Sequence, residues 1–356
     1  MHKQCFVTGG SGFIGQHLVA SLTRNGHPVT LLLRSPAALP ALRGQVDRLG
    51  GNGQLLGAVT GDLGKPGLGL DAAAREQVRQ AAVVFHLGAQ FAWGLSVAQA
   101  RQVNVEGALA VAELAASQAS RLLLAGGFML ANHEHLRRLG IDLQAPSRTD
   151  WATVYRRIGA YEGSKLEAHF KVLARMSELN AELTVVHPAT VCGHSRSGHI
   201  LPAQPLAGLI GNLAGGLLGA IPGSPAHWLP LVSVDFLAEL LRVAAFDQEQ
   251  AGQEILALDA RTPNLHGMLQ QLAQTLGVSA PSRHLPIPLL RWLLKIPGLP
   301  RLLRTEPESL DFIQTTRFDT AATQALAQRH QLLWPDIAQA LQATARYLVN
   351  EQLSRD

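Results

Sequence analysis

The stretch Thr8-Gly9-Gly10-Ser11-Gly12-Phe13-Ile14-Gly15 follows a short apolar run and continues into an amphipathic helical pattern. Its glycines at 9, 12 and 15 are spaced three apart. A glycine-rich turn between a strand and a helix lets a pyrophosphate approach the backbone and lie on the helix N-terminus, where side chains would obstruct it. This context predicts a dinucleotide-binding site that uses Thr8, Gly9, Gly12, Phe13, Ile14 and Gly15.

Short aliphatic and β-branched runs alternate with helical patterns through the first 190 residues. The runs are apolar throughout, which is typical of parallel strands covered on both faces. Strands are predicted at 4–8, 28–34, 54–60, 83–87, 121–125 and 183–187. Helices are predicted at 13–25, 70–80, 98–118 and 161–180. The alternation predicts an α/β fold with a Rossmann-type, doubly wound parallel sheet.

The pattern loosens into Pro- and Gly-rich segments beyond about residue 195. We therefore expect a nucleotide-binding domain at 1–195, to which residues 228–260 contribute a further part. Residues 196–227 and 261–356 would form a smaller, mostly helical region that completes a substrate site.

The composition is that of a globular protein, with 47% hydrophobic and 16% charged residues. The net charge is +4 with Arg and Lys scattered, which argues against a nucleic-acid surface and favours small anionic partners. Cys5 and Cys192 lie far apart and outside any metal-binding spacing. Since no signal peptide is visible before the first strand, we expect a cytoplasmic protein. We also expect it to be a monomer or a homodimer.

Two segments raise the question of membrane contact. Residues 200–222 carry no charge and have the length of a span, which takes roughly 20 apolar residues. They also contain Pro202, Pro205 and Asn212, which argue against a membrane span. We therefore predict that they form a glycine-rich helix and turn over an apolar pocket and do not span a membrane. Residues 285–304 mix apolar with basic residues, which allows peripheral contact with a membrane or with carrier phosphates, or a pair of short helices on the core.

Arg34 follows the second predicted strand, where an NAD-binding chain usually has Asp or Glu for the ribose 2′-hydroxyl. A guanidinium suits a 2′-phosphate, so NADP(H) is the predicted cofactor; the alternative is a surface arginine that closes the strand. After the third strand, Asp62 and Leu63 would reach the adenine. After the fourth, the backbone of Leu87, Gly88 and Ala89 would pass beneath the cofactor.

Tyr161 and Lys165 are four residues apart, on one face of a predicted helix. A tyrosine hydroxyl has a pKa near 10, too high for easy proton exchange at neutral pH. A neighbouring lysine cation stabilises phenolate, so we expect Lys165 to lower the pKa of Tyr161. The pair would then protonate an oxyanion as a hydride arrives.

Residues 1 to about 240 resemble the extended short-chain dehydrogenase/reductase family. The resemblance is carried by TGGSGFIG at 8–15, GDL at 61–63, HLGA at 86–89, NVEG at 104–107, YEGSK at 161–165 and HPATVCG at 187–193. It implies that Asn104 supports a proton-relay water and Lys165. It also implies that Pro188, Ala189, Thr190 and Val191 lie along the nicotinamide.

One branch is especially similar, that of the thioester and fatty acyl-CoA reductases. Its motifs are matched by GDLGKPGLGL at 61–70, FHLGA at 85–89, SRSG at 195–198 and LVSVD at 231–235. The resemblance implies that NADPH reduces an acyl thioester, on coenzyme A or a carrier protein, to an aldehyde or alcohol. The segment 200–222 would suit an acyl chain. No adenylation or carrier domain is recognisable, so the substrate would arrive already activated.

The chain departs from the family at the end of the fifth strand. The family has Ser or Thr there to hydrogen-bond the substrate carbonyl, whereas this chain reads Leu124-Ala125-Gly126-Gly127-Phe128. Losing such a donor costs roughly two to three orders of magnitude in rate. Three explanations stay open: a hydroxyl from the following loop (Ser147, Thr149, Thr153 or Tyr155), the backbone amides of Gly126 and Gly127, or loss of ordinary catalysis.

Weaker predictions complete the site. Substrate contacts are expected from Phe91, Trp93, Gly127 and Phe128. No metal is expected, since His133-Glu134-His135 lacks the spacing of a metal site. Alternative functions on the same fold are a ketone or hydroxysteroid-type dehydrogenase, a sugar-nucleotide epimerase or dehydratase, and a non-catalytic NADP-binding regulator.

Overall fold

The computed structural model describes residues 2–90, 95–296 and 307–353. The chain divides into two compact units, each built from two segments. The first unit is Met1–His187 with Leu237–Leu256, and the second is Pro188–Phe236 with Ala257–Asp356. The division at residue 195 that the sequence predicts stays a prediction.

A seven-stranded parallel sheet dominates the first unit, in the order β10-β6-β5-β4-β1-β2-β3. This arrangement confirms the predicted α/β class, and six of its strands lie where the sequence predicts them. The strands are β1 (Cys5–Thr8), β2 (Val29–Leu33), β3 (Leu56–Thr60), β4 (Val83–His86), β5 (Arg121–Ala125), β6 (Leu183–Pro188) and β10 (Glu254–Ala257).

The helices of the first unit cover the sheet. They are α1 (Phe13–Arg24), α2 (Leu39–Arg48), α3 (Ala72–Val78), α4 (Val97–Ala100), α5 (Gly107–Ser117), α6 (His133–Leu139), α7 (Trp151–Glu178) and α9 (Val234–Phe246). A π-helical turn, Arg101–Glu106, joins α4 to α5. Because these helices lie over both faces of a parallel sheet, the strands are apolar throughout and bury residues such as Phe6, Val84 and Leu122.

Helix α7 begins ten residues before the predicted start, at Trp151. The side chain of Asp150 accepts a hydrogen bond from Thr153 N and caps this end. Gly159 interrupts the helix with φ of 83°, a left-handed conformation that glycine adopts without a steric penalty. The helix therefore restarts just before Tyr161.

A buried arginine joins the two segments of the first unit. Arg121, at the start of β5, is 4% exposed. Its guanidinium donates to the carbonyls of Ala245 and Asp247, at 3.2 and 2.6 Å, and pairs with Glu182 at 2.9 Å. These partners satisfy a charge that would otherwise be costly to bury.

The second unit contains short parallel strand pairs and several helices. Strand β7 (Thr190–Cys192) pairs with β9 (Leu231–Ser233), and β8 (Ile221–Pro222) pairs with β11 (His284–Leu285). The helices are α8 (Pro205–Ala214), α10 (Leu265–Leu276), α11 (Ile287–Leu293), α12 (Ala321–Arg329) and α13 (Ile337–Leu353).

The uncharged stretch 200–222 folds as helix α8, a turn and strand β8. Among the residues that the structure describes, no helix combines the length and hydropathy needed to cross a membrane. Of the basic segment 285–304, the described part contains α11, and residues 297–306 lie outside the described residues.

Candidate active site

The glycine turn after β1 is tightly packed. Gly9 has φ of +73°, and a Cβ on it would lie 2.6 Å from Gly88 N. A Cβ on Gly15 would lie 2.1 Å from Gly9 O. Real Cβ atoms do not approach backbone this closely, so glycine is required where the turn contacts the loop after β4 and where α1 contacts the turn.

Helix α1 presents an uncapped N-terminus at this turn. It begins at Phe13, with Gly12 as N-cap, and has neither a side-chain cap nor an acidic residue in its first turn. The first N–H groups of a helix have no partner within the helix, and its dipole favours negative charge there. Ile14 and Gly15 follow in this first turn, so the predicted pyrophosphate site has the expected backbone geometry.

Thr8 and the loop after β4 meet beside the turn. The Thr8 hydroxyl and His86 Nδ1 are 2.7 Å apart, and both side chains are buried. Burial lowers the pKa of His86 to about 3, so its imidazole is neutral at pH 7. Leu87 N donates to Thr8 O at 3.2 Å, which fixes the backbone of residues 87–89 next to β1.

The loop after β3 lies against the same residues. A Cβ on Gly88 would be 2.6 Å from Leu63 Cδ1, so Leu63 packs directly over Gly88. The Asp62 carboxylate accepts a hydrogen bond from Gly64 N at 2.9 Å. The predicted adenine-binding and cofactor-floor residues are therefore neighbours, while Ala89 is half-buried just beyond them.

Arg34 is exposed at the end of β2. Within the described parts of the chain, no residue forms a hydrogen bond or ion pair with its guanidinium. Its position at the carboxyl end of the strand is the one that the sequence analysis predicts for a contact to a ribose 2′-phosphate.

Asn104 links the loop after β4 to helix α7. It is 2% exposed and lies in the π-helical turn, a feature often found at functional sites. Its Oδ1 accepts from Gln90 N at 2.7 Å, and its Nδ2 donates to Ser164 Oγ at 2.9 Å. Ser164 Oγ in turn donates to Tyr161 O at 2.8 Å. Asn104 thus contacts the backbone of the Tyr161 turn through Ser164.

Lys165 is half-buried in α7, and its ammonium donates to Ala125 O, at the end of β5, over 2.8 Å. Burial lowers the pKa of Lys165 to about 8. Burial, and next the charge of Glu162, raise the pKa of Tyr161 to about 12. The predicted lowering by Lys165 is wrong for this structure, because burial favours the neutral phenol and the ammonium points to the Ala125 carbonyl.

The glycine pair after β5 has two different environments. Gly126 N donates to Val186 O at 2.8 Å, and a Cβ on Gly126 would lie 2.3 Å from His187 Nδ1. Gly127 is extended, with φ of −162°, and no atom lies within 4 Å of the position its Cβ would take. Phe128, which follows, is buried.

The structure reduces the number of groups that could replace the missing hydroxyl, both among the amides of the glycine pair and among the hydroxyls of residues 147–155. The Gly126 amide is used in the sheet, whereas no described residue accepts a hydrogen bond from Gly127 N. Thr153 and Tyr155 lie in the first turns of α7; the Thr153 hydroxyl donates to Asp150 Oδ2 at 2.6 Å, and the Tyr155 hydroxyl donates to the buried Glu167 at 2.7 Å. Ser147 lines a cavity beside α7, and Thr149 is buried.

The remaining predicted residues lie elsewhere. Phe91 and Trp93 fall outside the described residues. Pro188, Ala189, Thr190 and Val191 are buried at the start of the second unit, where Ala189 N donates to Ala257 O and Thr190 N to Pro230 O. His133 lines the cavity beside α7, and His135 pairs with Glu162 at 3.2 Å.

A cluster that the sequence analysis missed lies next to Gly126. His169 of α7, His187 of β6 and Glu254 of β10 bring three potential ligand atoms within 4.8 Å of one another. Burial lowers the pKa of His169 to about 3, so its ring is neutral. The three residues are far apart in the sequence, and no local spacing connects them.

Comparison with known families agrees with the motifs. Residues 7–241 match the family model described as "Male sterility protein". The matched range contains the glycine turn, Asn104, Tyr161 and Lys165. The chain belongs to this family. It is an extended short-chain dehydrogenase/reductase of the thioester reductase-like type, with an NAD(P)-binding domain.

Sequence identity to an individual relative is low. An aldehyde reductase, lnaA, from Aspergillus flavus is 27% identical over 265 residues, which cover 70% of the present chain and 25% of that protein. The chain thus spans about a quarter of the length of this relative.

Two solved structures share the fold. The terminal R domain of the myxalamid PKS-NRPS pathway has a TM-score of 0.78 at 19% identity, over 99% of this chain and 92% of that one. A thiolation-reductase di-domain from an archaeal non-ribosomal peptide synthetase has a TM-score of 0.71 at 12% identity, over 99% and 76%. At these identities the likeness establishes the fold.

Proposed function

We propose that this chain reduces an acyl thioester to an aldehyde with NADPH, and in a second round reduces the aldehyde to the alcohol. Membership of the thioester reductase-like family favours the thioester, which would be presented by coenzyme A or a carrier protein. The observation that carries the chemistry is the contact of Lys165 with the Ala125 carbonyl. It places the Tyr161–Lys165 helix at the end of β5, where the family binds the reacting carbonyl.

The residues present fit NADPH. Gly9 and Gly15 of the turn admit no side chain, and the uncapped end of α1 suits the pyrophosphate. Arg34 would bind the 2′-phosphate, and Asp62 and Leu63 would contact the adenine. Bound NADPH would supply a hydride to the thioester carbonyl carbon. Pro188, Ala189, Thr190 and Val191 are proposed to lie along the nicotinamide.

Tyr161 would donate its proton to the carbonyl oxygen as the hydride adds. Since its pKa is about 12, the phenol keeps this proton until an oxyanion more basic than the thioester oxygen develops. The Lys165 ammonium would stabilise the phenolate that remains, and Asn104 would hold the Tyr161 turn in place. The resulting hemithioacetal then breaks its carbon–sulfur bond, which releases the thiol and the aldehyde.

The amide of Gly127 is proposed to replace the missing hydroxyl. It is the one amide of the glycine pair that is not bonded to a described residue, and the glycine leaves space for a substrate to approach. A backbone N–H is an effective oxyanion donor, and losing one costs about 10²–10³ in rate. Gly127 and Phe128, with Phe91 and Trp93, are the proposed substrate contacts.

Exposed apolar residues on α11 (Ile287–Leu293) and just beyond its end are the proposed contact for a carrier. Leu289, Trp292 and Ile296 are 43%, 62% and 43% exposed, and Lys295 lies beside them. Exposed apolar residues beside a cation suit a partner that carries a phosphate-linked arm.

The test is NADPH consumption with a panel of acyl-CoAs and carrier-bound acyl groups, with aldehyde or alcohol identified as product. Tyr161→Phe should slow the reaction by about 10²–10⁴-fold, the usual contribution of a general acid, and leave NADPH binding unchanged. Tyr347→Phe removes a tyrosine hydroxyl from the second unit and is the matched control. Tyr155→Phe tests the loop-hydroxyl alternative and should change the rate by less than about threefold.

Each alternative has its own outcome. Turnover of ketones without turnover of any thioester would replace the proposal with a ketone dehydrogenase. Tightly retained oxidised cofactor would favour an epimerase. Binding of NADPH without turnover, unaffected by Tyr161→Phe, would identify a regulator. Arg34→Ala should weaken NADPH binding by roughly 10–100-fold but not NADH binding, because the lost contact is a charged hydrogen bond.

A further inference from the structure

The cluster of His169, His187 and Glu254 lies inside the first unit and has no part in the proposed reduction. Both imidazoles are buried, at 4% and 3% exposure, and the Glu254 side chain is 43% exposed. Glu254 Oε2 lies 2.6 Å from His187 Nε2 and 3.6 Å from His169 Nε2. The three donor atoms therefore converge on one point, with the carboxylate between the two rings.

A hydrogen bond within the chain accounts for the His187–Glu254 contact but not for the position of His169. A distance of 3.6 Å is too long for a hydrogen bond, so Glu254 does not satisfy His169. The relevant atom is His169 Nε2, which faces the Glu254 carboxylate without reaching it. No described residue hydrogen-bonds either ring nitrogen of His169. A buried imidazole without a partner is destabilising, which indicates that the cluster is built for a ligand.

The donor set identifies the kind of ligand. Two imidazoles and one carboxylate are a common protein ligand set for Zn²⁺, and three protein ligands leave one coordination position open. A cavity of about 740 Å³ adjoins the cluster and is lined by His169 and Glu254 together with apolar residues that include Leu130, Trp151 and Phe170. An open fourth position would face this cavity.

We propose that His169, His187 and Glu254 bind one divalent transition-metal ion of the Zn²⁺ class. His169 and His187 would ligate through Nε2, and Glu254 through Oε2. The His187–Glu254 contact of 2.6 Å would have to lengthen to admit the ion, because Zn–N and Zn–O bonds of about 2.0–2.2 Å hold two donor atoms farther apart. The site does not depend on the proposed thioester reduction, and its test uses no measurement of activity.

The experiment uses the full chain after dialysis against a chelator. Zn²⁺ is titrated by calorimetry, bound metal is counted by mass spectrometry, and Co²⁺ is added as a spectroscopic probe of the ligand field. We expect one ion per chain and visible Co²⁺ bands typical of four-coordination. We also expect the Tm to rise with Zn²⁺ concentration, since a ligand that binds only the folded state stabilises it.

Variants locate the site. Glu254→Gln and His187→Gln should weaken Zn²⁺ binding by more than about 100-fold, since loss of outer partners alone costs about 10–100-fold. Glu254→Gln changes a partly exposed side chain, so its metal-free Tm should match that of the parent. His135→Gln is the control, because His135 is paired with a single carboxylate, Glu162. The absence of binding, or equal binding by the parent and Glu254→Gln, would overturn the proposal.

Discussion

The two glycine turns of the first unit look alike in sequence and differ in what packing demands. In the turn after β1, a Cβ at Gly9 or Gly15 would collide with backbone atoms. In the turn after β5, a Cβ at Gly126 would collide with the His187 ring, whereas one at Gly127 would meet nothing within 4 Å. Packing thus requires glycine at positions 9 and 15 of the first turn, whereas it does not require glycine at position 127.

This difference changes how the departure from the family is understood. A serine or threonine at 126 is excluded by a neighbouring side chain, which is a steric reason. At 127 the extended backbone and the open space would accept any small residue. A hydroxyl can therefore be introduced at 127, and its effect on the reaction measured, without disturbing the fold.

The largest expected effect is at the first turn. Gly15→Ala places a methyl group 2.1 Å from Gly9 O, so α1 must move away from the turn that would hold the pyrophosphate. We expect NADPH binding to weaken by more than about 100-fold, measured by fluorescence titration. Gly44→Ala is the control, because its methyl group would meet only a flexible arginine at 3.8 Å in the middle of α2. Normal NADPH binding by Gly15→Ala would refute the steric requirement.

The second effect concerns the lysine that contacts the strand before the glycine pair. Lys165 has a pKa of about 8, so kcat/KM for reduction should be level below pH 7 and fall about tenfold per unit above pH 8. Stability should change in the opposite direction. Because the unfolded chain binds the extra proton between pH 8 and the ordinary lysine pKa, the free energy of unfolding should rise with pH there.

Lys165→Arg separates these causes. An arginine keeps its charge across this range, so the fall in rate above pH 8 should disappear even if the absolute rate is lower. A fall that persists in Lys165→Arg would assign the titration to another group.

The third effect is on stability at the second turn. Gly126→Ala forces a methyl group against the His187 ring and should lower the free energy of unfolding by about 1–3 kcal/mol, the usual cost of overpacking. The matched variant Gly127→Ala should lie within about 0.5 kcal/mol of the parent. Chemical denaturation measures both, and equal losses would contradict the contrast between the two glycines.

The smallest effect is expected from Gly127→Ser, which restores a hydroxyl while keeping the amide. Its stability should stay within about 0.5 kcal/mol of the parent. Its rate of reduction should equal or exceed that of the parent, because a second donor would be available to the oxyanion. A large fall in rate with NADPH binding intact would show that the substrate needs the space above Gly127.

The sequence is sufficient to predict six of the seven strands of the sheet and the glycine turn after β1. Both features follow from short sequence patterns. Apolar runs indicate strands that are buried on two faces, and glycines indicate positions where two backbone segments come close together. The break at Gly159 and the early start of α7 were not predicted, because the residues 151–158 carry no strong helix signal of their own and are stabilised by the Asp150 cap and by packing in a cluster with Leu130 and Leu136.

The electrostatics of the site were harder to predict than its residues. The spacing of Tyr161 and Lys165 correctly placed both on one helix, but the effect of the lysine depends on where its ammonium points and on how far both groups are buried. The His169–His187–Glu254 cluster depends on a helix and two strands meeting in space. No local sequence pattern predicts that these three elements come together, so the cluster is found only from the folded structure.

The contacts of Arg121 bear on how this protein can be recombined. The first unit is discontinuous, and the acceptors of the Arg121 guanidinium at Ala245 and Asp247 come from the segment that follows the inserted stretch 188–236. A chimera cut after His187 would leave that guanidinium buried without its carbonyl partners. Exchange of the second unit between relatives should therefore keep residues 237–256 with the parent that supplies residues 1–187.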